Sequence, residues 1–103
     1  MVSAITDQDF QEKVLSSQKP VLLDFFAVWC GPCKLAEPVL EELSKQHANV
    51  TFAKLDVDQS PSTPQKFGVM SIPTTILFKE GKEVGRVTGF AGKKPFEDLL
   101  AKA

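Results

Sequence analysis

The sequence predicts an α/β fold in which helices cover both faces of one sheet. Strand-like and helix-like patterns alternate along the chain, in the order β-α-β-α-β-α-β-β-α. One segment in the first third is apolar at almost every position, as is typical of a strand buried on both faces. The alternation indicates a mostly parallel sheet, and the final strand pair adds an antiparallel hairpin. The length of 103 residues fits a single domain, residues 1–103.

The N-terminal elements follow from short apolar patterns. Residues 2–5 form an apolar run, which we interpret as an edge strand. Residues 7–17 show apolar positions at helical spacing and predict a helix. Thr6 is its candidate N-cap, and Asp7 and Asp9 would lie in its first turn, where a carboxylate suits the helix dipole.

The middle of the chain contains the strongest strand and helix patterns. Residues 21–27 are the near-continuous apolar run and predict a buried strand. Residues 33–48 predict the second helix, and Pro38 inside it should cost one backbone hydrogen bond and kink the helix. The remaining segments are predicted to be a strand, a short helix or pair of turns, a two-stranded hairpin and a last helix, at residues 50–57, 60–67, 74–79 with 83–87, and 93–102.

Composition and charge exclude several classes of partner. Twelve basic residues nearly balance thirteen acidic ones, so the net charge of -1 gives no indication of a nucleic-acid or membrane-surface partner. No apolar run has the length of a membrane span. The first seven residues lack the pattern of a signal peptide, so we expect a cytoplasmic protein.

The chain has only two cysteines, Cys30 and Cys33, which are three positions apart. A structural zinc site needs four ligands, and His47 is the only histidine, so we expect no metal site. A Cys-x-x-Cys pair in a cytosolic α/β chain indicates a redox pair. The alternative is a stabilising disulfide or two core thiols, but a bridge closing so short a loop restricts the unfolded chain little.

The placement of the pair suits disulfide exchange. Cys30 lies where the second helix begins, and unpaired backbone N–H groups there lower the pKa of a thiol. Cys33, one turn later, is close enough to form a disulfide. Gly31 permits the tight turn, and Pro32 is tolerated in a first helical turn. We therefore assign Cys30 as the nucleophile and Cys33 as the resolving cysteine.

These motifs resemble the thioredoxin family over nearly the whole chain. The matching segments, in order, are Asp24-Phe25, Trp29-Cys30-Gly31-Pro32-Cys33-Lys34, Pro38, residues 54–58, 67–69 and 71–74, Phe78 with Gly81, and Gly89. The five-residue Trp-Cys-Gly-Pro-Cys motif with Ile-Pro-Thr downstream is a strong signature. The resemblance implies the thioredoxin fold, a central mixed five-stranded sheet flanked by four helices.

The resemblance also implies an activity and its partners. The chain would be a protein disulfide reductase and general cytosolic electron donor, an electron carrier recycled by a flavin-containing thioredoxin reductase. Implied clients are ribonucleotide reductase, peroxiredoxins and methionine sulfoxide reductases. We expect a monomer without a bound cofactor. The alternatives are a disulfide oxidase or isomerase on the same fold, and a binding or chaperone-like module whose cysteine pair is incidental.

Two polar residues acquire roles by resemblance. Asp24 would lie behind Cys33 and relay a proton to or from it, whereas the alternative is an exposed carboxylate at the sheet edge. The Lys54 ammonium would approach Asp24, although Lys54 could equally be an ordinary surface lysine.

The resemblance assigns a second group of residues to client binding, namely Trp29, Gly31, Pro32, Ile72, Pro73 and Gly89. Trp29 would shield the site, and Pro73 would be cis, with the backbone of Ile72 offered to an extended client. Gly89 would leave room for the client. The structural alternatives are that Trp29 is a core residue, Pro73 only starts a strand and Gly89 only ends one.

Two positions depart from the family pattern. Phe26 stands where a second tryptophan is more common, and Val28 replaces a residue that is usually small, polar or acidic. Both changes make the rim of the site more apolar, which leaves client preference open but not the chemistry.

Overall fold

A computed structural model describes residues 1–103 and shows one mixed sheet. Its strands are β1 Val2–Ile5, β2 Val21–Phe26, β3 Thr51–Asp56, β4 Thr74–Lys79 and β5 Lys82–Thr88. Their order across the sheet is β1-β3-β2-β4-β5, so β2 is the central strand. β1, β2 and β3 run parallel, β4 is antiparallel to β2, and β5 is antiparallel to β4. The predicted α/β class and the hairpin are confirmed.

Four helices pack around this sheet. They are a π-helical segment Gln11–Leu15 and three α-helices, α1 Gly31–Gln46, α2 Ser62–Lys66 and α3 Lys94–Leu100. Pro38 lies inside α1, as predicted. No helix is long and apolar enough to cross a membrane.

The two faces of β2 contribute to different parts of the core. Because side chains alternate along a strand, Leu23 and Phe25 face one way and Leu22 the other. Leu23 and Phe25 belong to an apolar cluster that includes Phe10, whereas Leu22 packs in a cluster with residues of α1 and α3. Asp24 is two residues after Leu22 and therefore lies on the sheet face that α1 covers.

The N-terminal helix differs from its prediction. The π-helix spans Gln11–Leu15, with Phe10 helical before it, instead of residues 7–17, and Thr6 does not cap it. Instead, the Asp9 carboxylate accepts hydrogen bonds from the Thr6 backbone N–H, at 2.6 Å, and from the Thr6 hydroxyl. The bond from the Thr6 N–H to Asp9, three residues on, has the form of one half of a capping box, and it closes a turn at residues 7–9 ahead of the helix.

Asp7 also has a different role from the one predicted. Its carboxylate accepts hydrogen bonds from the backbone N–H groups of Ser62 and Thr63, at 3.0 and 2.9 Å, and from the Thr63 hydroxyl. It therefore caps α2, 55 residues away in sequence. Desolvation raises the pKa of Asp7, but the hydrogen bonds from Thr63 and Ser62 outweigh it and leave the pKa below its ordinary value.

Loss of this long-range cap should be measurable. We expect Asp7→Ala to lower the free energy of unfolding by about 1–2 kcal/mol, because two backbone N–H groups of α2 lose their partner. Urea unfolding at pH 7 measures the change. The control is Asp98→Ala, which removes an exposed carboxylate paired only with Lys94 within one helix and should cost less than about 0.5 kcal/mol. Equal losses in the two variants would contradict the capping role.

Candidate active site around the Cys30–Cys33 disulfide

The two cysteines lie where β2 gives way to α1. Cys30 is the N-cap of α1, and Cys33 lies in the first turn, with a Cα–Cα distance of 5.3 Å and a disulfide between them. The Cys33 backbone N–H donates a hydrogen bond to Cys30 Sγ at 3.2 Å. The sulfur of Cys30 thus faces the positive end of a 16-residue helix, an environment that stabilises a thiolate.

Burial alone does not distinguish the two sulfurs. Cys30 is 4% exposed and Cys33 is 3% exposed, and they cluster with Ala27 against partly buried apolar side chains that include Phe26 and Ile72. The difference between them is positional, because only Cys30 occupies the N-cap. The assignment of Cys30 as nucleophile and Cys33 as resolving cysteine stays a prediction.

The rim of the site is exposed and apolar. Trp29 is 68% exposed, so it is not a core residue, and its Nε1–H donates a hydrogen bond to Asp58 Oδ2 at 2.7 Å. Met70 is 96% exposed, and Val28 is exposed as well. Beside the disulfide lies a groove of about 300 Å³, whose walls include Trp29, Val57, Pro61, Pro64, Val69, Met70 and Ile72.

The loop that precedes β4 closes the same region. The Ile72–Pro73 peptide bond is cis, and the Pro73 carbonyl accepts a hydrogen bond from the Gly89 backbone N–H at 2.7 Å. Gly89 has a φ of +83°, and a Cβ atom added there would meet nothing within 4 Å. Backbone conformation, more than crowding inside the protein, therefore favours glycine at this position. The client-binding roles of Ile72, Pro73 and Gly89, like those of Gly31 and Pro32 in the first turn of α1, stay predictions.

Asp24 is buried beneath α1. It is 5% exposed on the central strand, so the alternative of a sheet-edge carboxylate is excluded. Its cross-strand neighbours are Lys54 on β3 and Thr75 on β4, and the Thr75 hydroxyl donates a hydrogen bond to Oδ1 at 3.3 Å. Desolvation raises the pKa of Asp24 to about 7; the Thr75 hydrogen bond lowers it, the Glu37 charge raises it and the Lys54 charge lowers it.

Lys54 forms its ion pair with Glu37. Its Nζ lies 3.7 Å from Glu37 Oε1 and 5.4 Å from the centre of the Phe26 ring. No ion pair joins the Lys54 ammonium to the Asp24 carboxylate, and the ammonium is paired with the exposed Glu37 instead. The two residues are paired in the sheet, and the Lys54 charge lowers the pKa of Asp24 without an ion pair between them. The predicted role of Lys54 beside Asp24 stays a prediction.

The sequence patterns did not identify Glu37 or Asp58 as parts of the site. Glu37 follows Cys33 by one helical turn, a spacing that places both on one side of α1. Asp58 lies two residues beyond β3, at the edge of the sheet where the parallel strand β2 also ends. The spacing of Glu37 and the position of Asp58 indicate a place in the site only when they are combined with the predicted order of strands and helices. No three His, Cys, Asp or Glu side chains are grouped so that they could hold a metal ion.

Known proteins show clear similarity to this chain. A sequence model described as thioredoxin matches residues 1–102. A thioredoxin of Mycobacterium tuberculosis is 57% identical over 90 residues, which cover 86% of this chain and 78% of that protein. A thioredoxin of Alicyclobacillus acidocaldarius is 51% identical over 98 residues, 94% of this chain and 92% of that protein. A bifunctional thioredoxin reductase/thioredoxin of Mycobacterium leprae is 54% identical over 90 residues, which cover 86% of this chain and 20% of that protein.

These matches agree with the geometry around the disulfide. The relatives cover most of the chain, including the Trp-Cys-Gly-Pro-Cys segment at the start of α1. The paired sulfurs at a helix N-terminus supply the dithiol that the reaction needs. The chain therefore belongs to the thioredoxin family and is a thiol–disulfide reductase that works through the Cys30–Cys33 pair.

Proposed function

We propose that the chain carries two electrons from a reductase to disulfides in several client proteins, with Cys30 as the attacking group. The Cys30 thiolate attacks one sulfur of the client disulfide, and the client's other sulfur leaves as a thiolate. Cys33 then attacks Cys30 Sγ, which releases the second client sulfur and forms the Cys30–Cys33 disulfide. The single observation that best supports this order is the hydrogen bond from the Cys33 N–H to Cys30 Sγ.

Asp24 is the proposed proton relay for the resolving step. Cys33 must lose a proton before it attacks, and it lies in the first turn of the helix that covers Asp24. Burial keeps the pKa of Asp24 at about 7, so the carboxyl group can gain and lose a proton near neutral pH. The Thr75 hydroxyl donates a hydrogen bond to Asp24 Oδ1 and so fixes the orientation of the carboxyl group.

The proposed partners follow from family membership. The Mycobacterium leprae relative is named for both thioredoxin reductase and thioredoxin, which supports a thioredoxin reductase as the electron source for this chain. We propose clients of the ribonucleotide reductase, peroxiredoxin and methionine sulfoxide reductase types, and a cytoplasmic monomer. No bound cofactor is required in this scheme, because the two sulfurs hold both electrons. No feature favours an oxidase or isomerase, in which His commonly occupies the position of Pro32.

The apolar groove beside the disulfide is the proposed docking surface for clients. We expect Met70→Asp to raise KM for a protein disulfide about threefold to tenfold, because a charge replaces an almost fully exposed apolar side chain in the groove. The rate with a small aromatic disulfide, which does not fill the groove, should change little. Val84→Asp is the matched control, since Val84 is also exposed and apolar but lies on β5 outside the groove. An unchanged KM in Met70→Asp would remove this residue from the docking surface.

Insulin reduction tests the proposed function as a whole. With NADPH and a thioredoxin reductase, the wild-type chain should accelerate the precipitation of insulin B chain, and the Cys30→Ser/Cys33→Ser variant should give only the background rate. We expect this variant to fold, because a disulfide between residues three positions apart restricts the unfolded chain little and adds little stability. Equal rates for the two proteins would reject the proposal.

A further inference from the structure

An ion pair at the edge of the buried carboxyl site is not explained by the exchange chemistry itself. Lys54 is the cross-strand neighbour of Asp24, and the two share the sheet face that α1 covers. A lysine ammonium beside a buried carboxylate ordinarily stabilises the charged form of the carboxylate and lowers its pKa. Here Lys54 Nζ lies 3.7 Å from Glu37 Oε1 and 5.4 Å from the centre of the Phe26 ring. The ammonium is thus paired with Glu37 and makes no ion pair with Asp24.

The surroundings of Asp24 leave few other charges to consider. β4 presents the neutral Thr75 hydroxyl, and α1 presents Cys33 and Glu37. On β3, Lys54 is followed on the same face by Asp56, whose carboxylate accepts a hydrogen bond from the Asp58 backbone N–H at 2.9 Å. The contribution of α3 to this side of the core is apolar. Glu37 and Lys54 are therefore the opposed charges that act most directly on Asp24.

We propose that Glu37 is a positioning residue that draws the Lys54 ammonium away from Asp24 and thereby sets the pH range in which Asp24 exchanges its proton. Glu37 acts in two ways, because it repels the Asp24 carboxylate directly and withholds the cation that would stabilise it. Both effects favour the protonated carboxyl group. In agreement, the Glu37 charge raises the pKa of Asp24 by more than the Lys54 charge lowers it. The inference bears on catalysis only through the proton relay of the proposed function.

The test is the titration of Asp24 in the oxidised protein, where the disulfide sulfurs do not titrate. Its carboxyl carbon is followed by NMR in the wild type, Glu37→Gln, Lys54→Met and the double variant. Glu37→Gln should displace the midpoint toward acid by about one pH unit, and Lys54→Met should displace it toward alkali. In the Lys54→Met background, Glu37→Gln should lose at least about half of its effect, since only direct repulsion remains.

The control is Glu41→Gln, which removes the same charge one turn further along α1, where the carboxylate faces the N-terminal amino group. It should leave the midpoint of Asp24 in place. An unmoved midpoint in Glu37→Gln overturns the inference. So does an equal displacement with and without Lys54, because Glu37 would then act only through its own charge.

The pH profile of insulin reduction separates this inference from the proposed relay. If Glu37→Gln displaces both the Asp24 midpoint and the rate profile toward acid, the inference and the relay are both supported. If it displaces the midpoint and leaves the profile fixed, the relay is rejected and the positioning role of Glu37 stands. If the midpoint is unmoved while Asp24→Asn still flattens the profile, the relay stands and the inference is rejected.

Discussion

Cys33→Ser should turn the chain into a trap that accumulates stable mixed disulfides with client proteins, whereas Cys30→Ser should trap few. The attacking sulfur in Cys33→Ser still lies at the N-cap of α1, but no second thiol remains to release the client. Both variants should lose catalytic turnover to the background rate, a loss of about a thousandfold or more. Non-reducing electrophoresis followed by mass spectrometry measures the trapped species.

Alkylation provides an independent check on the same assignment. In the reduced wild-type protein at neutral pH, iodoacetamide should modify Cys30 first, because the helix N-terminus favours its thiolate. The Cys30→Ser variant should then react slowly, since only Cys33 remains. Faster alkylation of Cys33, or stable trapping by Cys30→Ser alone, would reverse the two roles.

Asp24→Asn should stabilise the protein at pH 8 and slow disulfide exchange. The pKa of Asp24 is raised from 3.8 to about 7, so the folded state holds the proton more tightly than the unfolded chain. Below pH 3.8 both states are protonated and the carboxyl group carries no penalty. As pH rises through 3.8 and on to about 7, the penalty grows, and it is complete above that range. The difference between the folded and unfolded pKa values corresponds to at most about 4 kcal/mol of unfolding free energy. Relaxation of the site around the charge reduces this penalty.

Unfolding by urea at several pH values measures this penalty. The stability gained by Asp24→Asn should be near zero at pH 4 and reach a few kcal/mol at pH 8, because asparagine does not ionise. Exchange at pH 7 should slow by roughly tenfold to a hundredfold, since the resolving step loses its proton relay. The exposed Asp98→Asn serves as the control and should show neither effect. A variant that is less stable than the wild type at pH 8, or equally fast, would contradict the buried relay.

The sequence was informative where a single local pattern determines the structure. The apolar run at residues 21–27 predicted a buried strand, and that strand proved to be the centre of the sheet. The Cys-x-x-Cys spacing at a strand-to-helix junction predicted the disulfide at the start of α1. Both depend on backbone periodicity and helix geometry, which neighbouring residues specify.

Local patterns failed where a side chain had a choice of partners distant in sequence. Asp7 resembled a first-turn carboxylate of its own helix, but it caps α2. The ion pair of Lys54 with Glu37 was not predicted, because the lysine side chain is long enough to reach a carboxylate on another element. Asp58 was part of a family-like segment but was assigned no role, because its hydrogen bond to Trp29 exists only once the ends of two strands meet. Such choices depend on tertiary geometry.

A redox titration against glutathione tests the central claim most directly, namely that the Cys30–Cys33 pair works as a reductase. The fraction of disulfide is measured by alkylation and mass spectrometry across a series of reduced-to-oxidised glutathione ratios. We expect a reduction potential near about −270 mV, the value typical of thioredoxins, so that the dithiol can donate electrons to most protein disulfides. A potential near about −120 mV, as found in strong disulfide oxidants, would contradict the assignment and identify the pair as an oxidant.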